Sequence, residues 1–334
     1  MSPARSTLIG FALLAAAAAL ASAQAQTKVT FALDFRALGR HAAWYVALDK
    51  GYYKQAGLDV TIIPSQGTAQ AIQSLEAGTA QYAFSDVAGL VAAHANGGST
   101  AKMVAVIYQK APYAIFSLRS GANVTRPEQL ENLEIASGAG SFTQKVIEAF
   151  MADRGLKPST VKYVNIDPAA RVGMLAAKRV PAIETFVMSQ PGVVKAAEPN
   201  DAQTFLFADH GLKLYSNGIL VRDDYLKANA AQVKAFVKAS LEGWRDTIRD
   251  PAAAAAIVAK YVKGLDPGVV AAEIRIVNAL VVTPETQAKG LGAVDPAVMA
   301  ASISLIARNT GGGKTVSPAD VYDASYLPQP PITP

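Results

Sequence analysis

The chain contains no cysteine, so it forms no disulfide, offers no thiolate to a metal and attacks no substrate with a thiol. Histidine is nearly as scarce: His41, His94 and His210 are the only three, and no two are spaced to share one helix face as metal ligands. No GxSxG run occurs, which removes the usual serine nucleophile elbow. GGGKT at 311–315 ends like a phosphate-binding loop, but Arg308 stands where its first glycine is required and Pro318 stops the helix that should follow. No cofactor and no metal are therefore expected. Beyond the N-terminus no apolar run is long enough for a membrane span. The 31 Lys and Arg are interspersed with 26 Asp and Glu. Without a basic stripe nucleic acid is not an expected partner, and the small positive excess suits a polar or anionic ligand.

What the chain does have, first, is an export signal. Arg5 precedes an apolar run from Leu8 to Ala21, and small-residue cleavage patterns end at Ala23 and Ala25. Residues 1–25 are expected to be a cleaved signal peptide, leaving a chain that starts at Gln24 or Gln26. With no cysteine at the cut there is no lipid anchor, so the expected location is the periplasm. The net charge of +5 becomes +4 when Arg5 leaves, and about 310 residues remain, enough for two lobes of ordinary size.

From Lys28 short β-rich runs alternate with helical segments, the pattern of an open α/β sheet. Strands are predicted at Val29–Leu33, Leu58–Ile63, Ala80–Phe84 and Met103–Tyr108, with helices at Ala42–Lys50, Thr68–Glu76 and Val87–Ala95. A second series follows Pro112: strands Leu133–Ala136, Val161–Asn165 and Ala182–Phe186, helices Ser141–Arg154 and Ala169–Ala177. The two series superpose at an offset of 100 residues, where Ala69, Ile72, Leu75 and Ala77 fall on Ala169, Val172, Leu175 and Ala177. After Gly218 the chain turns helical, at Ala230–Arg249, Ala252–Lys263, Pro267–Leu280 and Pro296–Arg308, and Gly311–Pro334 reads as an irregular tail. The expected division is lobe 1 at 26–112, lobe 2 at 113–215, and a return to lobe 1 at 216–334, with crossings near Tyr108–Tyr113 and Tyr215–Ile219.

An open α/β sheet binds ligands beyond the carboxyl ends of its strands, and four junctions there are candidates. DFRALGRHAAWY, from Asp34, carries Phe35, Arg36, Arg40 and His41. SQGTAQ supplies Gly67 and Thr68, and SDVAG supplies Ser85 and Asp86. SGAGSFT is a glycine-rich helix start carrying Gly140, Ser141, Phe142 and Thr143, suited to holding an acceptor group on backbone N–H groups. Ser, Thr and Asp at helix starts are ordinary caps when taken singly; four such junctions in two lobes point to a site. Tyr108 and Tyr113 bracket the first crossing and would sit at the mouth of a closing cleft. Glu184, in AIETF, is a charge in an apolar setting with either a surface or a ligand role.

The run HAAWYVALDKGYYKQAGLDVTIIP, His41–Pro64, and LEAGTAQYAFSD, Leu75–Asp86, resemble the periplasmic solute-binding proteins of ABC importers, in the group that takes up the thiamine pyrimidine precursor, riboflavin, sulfonates, taurine and nitrate. The resemblance runs from Thr27 to about Leu220. It implies a type II binding-protein fold: two α/β lobes, a two-strand hinge and a helical C-terminal region packed on lobe 1. It further implies a monomeric, non-enzymatic protein that captures a small polar or aromatic solute (pyrimidine-like, flavin-like or an organic anion) by hinge closure and hands it to a membrane permease with a cytoplasmic ATPase. Alternatives are a sulfonate-, nitrate- or taurine-type anion binder, a sensor-feeding receptor, or a periplasmic enzyme on the same fold. His41 followed by YVA is closer to the pyrimidine and riboflavin branch. The chain departs from the family at AAKRVPAIE, where Pro181 replaces an expected Asp, so no single relative's ligand carries over. A eukaryotic branch makes the pyrimidine from its own His, but the Cys-rich iron site implied there has no counterpart in a chain without Cys.

Overall fold

A computed structural model describes residues 26–139, 141–310 and 313–334; the predicted signal peptide and Gly140 lie outside the described residues. The first sheet begins with β1 (Thr27–Ala32), α1 (Ala42–Asp49), α2 (Tyr52–Gln55), β2 (Leu58–Ile63), α3 (Thr68–Glu76), β3 (Tyr82–Asp86), α4 (Val87–Ala95) and β4 (Ala101–Val106). Gly51 and Gly57 carry the tight turns around α2 with φ of 73° and 75°, a region that costs other residues a steric penalty. The chain then crosses to β5 (Tyr113–Leu118), β6 (Glu134–Ser137), α5 (Phe142–Ala152), β7 (Lys162–Asn165), α6 (Arg171–Ala176), β8 (Ala182–Phe186), α7 (Gln190–Ala196) and β9 (Ala202–Leu206). It returns through β10 (Asn217–Arg222) and finishes in α8 (Asp223–Ala228), α9 (Ala230–Arg249), α10 (Pro251–Tyr261), α11 (Pro267–Val281), α12 (Pro284–Lys289), α13 (Pro296–Thr310) and α14 (Pro318–Val321).

The sheets are ordered β2-β1-β3-β10-β4 and β7-β6-β8-β5-β9. In each, three parallel strands are followed by an antiparallel strand that arrives from the other lobe: β10 pairs antiparallel with β3 and β4, and β5 with β8 and β9. The repeat seen at an offset of 100 is thus a repeat of topology. α3 and α6 fill equivalent places between the second and third parallel strands, and Leu75 and Leu175 are each 1% exposed. This is the two-lobed type II architecture.

Three strands went unread in the sequence, β5, β9 and β10; β10, NGILVR and almost wholly buried, occupies a stretch read as the start of the helical region. β5 is YAIFSL, buried along its whole length, so it lacks the polar alternation that marks a one-sided strand. β9 is a five-residue edge strand with mixed exposure. The crossings at 107–112 and 207–216 run side by side: Asn217 O accepts both Ile107 N and Tyr108 N at 2.9 Å, and Ser216 N donates to Tyr108 O at 3.1 Å.

Three of the helices after β10, α10, α11 and α12, start on Asp-Pro or Thr-Pro. Asp250 and Asp266 accept Ala253 N and Val269 N at 2.9 Å, and Thr283 accepts Thr286 N, with Pro next in line each time. α9 lies on α1, where Gly243 permits the approach: a Cβ there would fall 2.4 Å from Ala43 O. Phe31, Trp44, Phe84, Phe236 and Trp244 interlock beneath as an edge-to-face cluster. α11 and α13 also reach lobe 2, α11 against α7 and α13 against α5. The tail is more ordered than the sequence implied. Tyr322 bridges to Met103 in β4, Val321 is fully buried, and Ile332 O accepts Leu291 N at 2.7 Å. Among the described residues no helix is long and apolar enough to cross a membrane.

Candidate functional site

A cavity of 970 Å³ lies between the lobes, at the carboxyl ends of the parallel strands of both sheets. Its size is at the upper end for small-molecule sites. The first lobe lines it with the loop after β1, the start of α3 and one face of α4. The second lobe lines it with the loop before α5, the loop between β7 and α6, and the end of β8. Gly89 on α4 lets that helix approach α3, since a Cβ there would lie 2.3 Å from Thr68 Cγ2.

The loop after β1 is held from behind. His41 is fully buried and does not line the cavity; its Nδ1 accepts Leu38 N at 3.0 Å and its Nε2 meets Asp34 Oδ1 at 2.7 Å. A ring whose Nδ1 accepts must carry its proton on Nε2, so His41 is neutral and donates to Asp34. Burial lowers its pKa in agreement, against the pull of Asp34. Burial would raise Asp34, but His41, Arg40 and the Asn217 amide at 2.9 Å together hold its carboxyl below the usual range. The ionised Asp34 is therefore spent on fixing the loop. That loop turns Phe35, Arg36 and Arg40 onto the cavity wall, with both guanidinium groups over the Phe35 ring at 5.7 and 5.5 Å.

The opposite wall centres on Glu184 and Arg171. Glu184 is 1% exposed; its Oε1 meets Arg171 Nη1 at 2.9 Å and accepts Ser137 Oγ at 2.8 Å, and Arg171 Nη1 also donates to Glu184 O at 2.6 Å. Gln144 donates to Ser137 Oγ at 3.0 Å, extending the network into α5. Burial pushes the Glu184 carboxyl up, and Arg171 and Ser137 restrain it. Ser141, Phe142 and Thr143 line the cavity beside this pair.

Of the residues singled out in the sequence, Phe35, Arg36, Gly67, Thr68, Ser141, Phe142, Thr143 and Glu184 come together on the cavity. Five others lie behind its wall. Ser85 is buried and donates to Thr68 O at 3.4 Å. Asp86 caps α4 through Ala88 N at 2.6 Å and accepts Tyr113 OH at 2.9 and 2.8 Å and Ser216 Oγ at 2.5 Å. Tyr108 packs on Phe84 with its hydroxyl buried, and Tyr113 lies beneath Phe142 and Phe186. Neither tyrosine is at the mouth of the cleft, because the crossings run through the interior; His41 completes the five. Arg40, from the first junction, also lines the cavity; sequence reasoning did not select Asp34 or Arg171, nor Asn165 and Asp167 from the loop after β7. The offset of 100 could have found that loop, since it maps Gln66–Gln73 onto Ile166–Gly173.

The riboflavin-binding protein RibY of Chloroflexus aurantiacus is 26% identical over 227 residues, covering 67% of this chain and 63% of that protein. The match thus spans somewhat under two thirds of that relative. The formylaminopyrimidine-binding protein of Halalkalibacterium halodurans is 21% identical, covering 68% of each chain. A 4-amino-5-hydroxymethyl-2-methylpyrimidine phosphate synthase of Saccharomyces cerevisiae is 22% identical, covering 67% of this chain and 68% of its own. Among solved structures, a protein of Bordetella bronchiseptica superposes with a TM-score of 0.71 at 20% identity, covering 90% of this chain and 96% of that one. The aliphatic sulphonate binding protein SsuA of Escherichia coli gives 0.68 at 14% identity, covering 88% and 91%. These superpositions share the fold of periplasmic binding proteins. A family model described as NMT1/THI5 like matches residues 39–254, and the chain belongs to that family.

Proposed function

We propose that this chain is the periplasmic substrate-binding component of an ABC importer, which captures a small polar or aromatic solute between its lobes and delivers it to a permease served by a cytoplasmic ATPase. The observation that carries the reading is the 970 Å³ cavity walled by equivalent loops of both lobes, with only two crossings joining the sheets. A ligand touching both walls stabilises the closed arrangement over an open one by the contacts that only closure completes. The names of RibY, the formylaminopyrimidine-binding protein and SsuA support solute capture and an extracytoplasmic location. Binding without chemistry fits the buried wall residues: Asp34 is occupied with the loop, Glu184 and Arg171 with one another, and His41 faces away from the cavity.

The test is a thermal-shift screen of refolded, ligand-stripped protein against pyrimidines, flavins, sulfonates and aromatic acids, followed by small-angle scattering. A ligand that raises the melting temperature and reduces the radius of gyration is the expected result. A saturating ligand that leaves the radius unchanged would count against hinge closure. Material from the periplasmic fraction should begin at Gln24 or Gln26; intact Met1 in a membrane pellet would overturn the location.

A further inference from the structure

Three arginines line the cavity, Arg36 and Arg40 from the first lobe and Arg171 from the second, and they are not equivalent. Arg171 is committed to Glu184 through two contacts of Nη1, although its Nε, like that of Arg40, is buried without a partner. Arg40 is 6% exposed, yet among the described residues its guanidinium makes no hydrogen bond and no ion pair within 4.0 Å. Its Nε is fully buried without a partner. A guanidinium cannot shed its charge, and this one, buried at Nε and paired with no acceptor in the protein, keeps the donors of its two Nη atoms for the cavity side. The neighbouring carboxylates do not take them up. Asp34 has given one oxygen to His41 and the other to Asn217, and Glu273 Oε2 accepts the Arg40 backbone N–H at 3.3 Å instead of its side chain. Arg36 adds a second positive charge over the same Phe35 ring and also has no ion pair within 4.0 Å among the described residues.

We propose that Arg40 is the seat for an anionic group of the captured solute, and that the ligand is an organic acid whose acidic head docks on Arg40 while its body crosses the cavity towards the second lobe. This rests on the solute-capture reading. Arg40 donates in a planar fork that matches the two oxygens of a carboxylate, sulfonate or phosphate. Nearby Asp34 and Glu273 temper the local positive field, which favours a single negative charge over a doubly charged head. The Phe35 face beneath both arginines offers apolar contact beside the head.

The test uses four probes of one shape: benzoate, benzenesulfonate, phenyl phosphate and the neutral benzamide, measured by thermal shift and calorimetry on the mature chain. Benzoate or benzenesulfonate is expected to bind and to outcompete phenyl phosphate, with benzamide weakest. Arg40→Gln should weaken the preferred anion by about 10- to 150-fold, the effect of losing a charge-assisted contact. Arg40→Lys should keep part of the affinity and make it more salt-sensitive. Melting of each unliganded variant reports that the fold is intact. Equal binding of benzamide and benzoate, or an anion affinity untouched by Arg40→Gln, overturns the assignment. A neutral pyrimidine or flavin that binds and compacts the protein when no anion does would overturn it too, leaving solute capture standing. If neither anions nor neutral solutes bind or compact the protein, both readings fall.

Discussion

The two walls of the cavity are built on the same strand order and finished in opposite ways. On the second-lobe wall the charges close on themselves: Arg171, Glu184, Ser137 and Gln144 form one connected network. On the first-lobe wall the carboxylate is turned inward, bonded to His41 and Asn217, while the guanidinium of Arg40 is left open. An ion-paired guanidinium fixes shape, and one with no acceptor at any of its nitrogens is open to a partner that arrives from outside. The difference teaches that pseudo-symmetry in topology need not extend to chemistry: one lobe supplies a rigid wall and the other supplies the vacant charge.

The sharpest way to break that comparison is to remove each arginine in turn. Arg171→Gln strands Glu184 in a buried setting and should cost about 3–5 kcal/mol at pH 8. The penalty has a definite pH sense. Burial already raises the Glu184 pKa, and without Arg171 it climbs further above its unfolded value. A carboxyl with a raised folded pKa contributes stability below its unfolded pKa and loses it as pH rises through the folded one. The deficit of Arg171→Gln should therefore shrink from pH 8 to pH 5, as read by denaturant unfolding. Arg40→Gln leaves no acid bonded only to it, so its deficit should be smaller; Asp34 and Glu273 each lose the restraint of its charge, so what deficit there is grows only modestly as pH rises. Equal, pH-independent deficits would mean that the two walls are alike after all.

A second comparison sets the wall against the hinge. Asp86, behind the cavity, is bonded by Tyr113 at the end of the first crossing and by Ser216 at the end of the second. Burial raises its pKa to about 6, although Ser216, Tyr113 and Ala88 N hold it down. Relative to an ordinary Asp, a shift of about two units is worth roughly 3 kcal/mol. The sign follows as for Glu184: this contribution is present below about pH 4 and lost as pH rises to about 6 and beyond. Asp34 runs the other way, since its pKa is lowered and its contribution fades as pH falls. The difference between wild type and Asp86→Asn isolates the hinge group. It should change by roughly 3 kcal/mol between pH 4 and 7, with the wild type losing ground. A constant difference across that range would show that Asp86 does not ionise as its surroundings imply.

The sequence made most of the architecture legible because lobe 1 obeys local rules: β2, α3 and α4 lie where periodicity and glycine turns put them. The site was legible as loops, and less so as side chains. DFRALGRH was identified as a site segment, but choosing Arg40 over His41 requires the phase of the turn at Gly39–His41, which buries the imidazole behind Asp34. Ser85 and Asp86 had good helix-cap chemistry at a strand end. β3, however, is the central strand, paired with β1 and β10, so its end faces the crossings and not the cavity. Arg171 opens a short helix, where an arginine is ordinarily solvated, and only the partner Glu184, 13 positions later, turns it inward. Such pairings are long-range, and composition or spacing does not encode them.

The smallest expected effect concerns contact between the lobes outside the cavity. Lys195 on α7 of lobe 2 meets Asp266, the cap of α11, at 2.6 Å, with both side chains largely in solvent at 62% and 43% exposure. An ion pair so placed is screened by salt, and holding a long lysine in one geometry offsets its attraction. Asp266 also keeps its capping bond to Val269 N at 2.9 Å when the lysine is gone. Lys195→Ala should therefore leave the melting temperature unchanged and shift ligand affinity by less than about fivefold, with any shift vanishing in high salt. Calorimetry at two ionic strengths separates the outcomes. A larger, salt-resistant loss would mean that closure draws on the packing of α11 against α7 as well as on the cavity walls, and the contrast between those walls would no longer account for how the protein holds its solute.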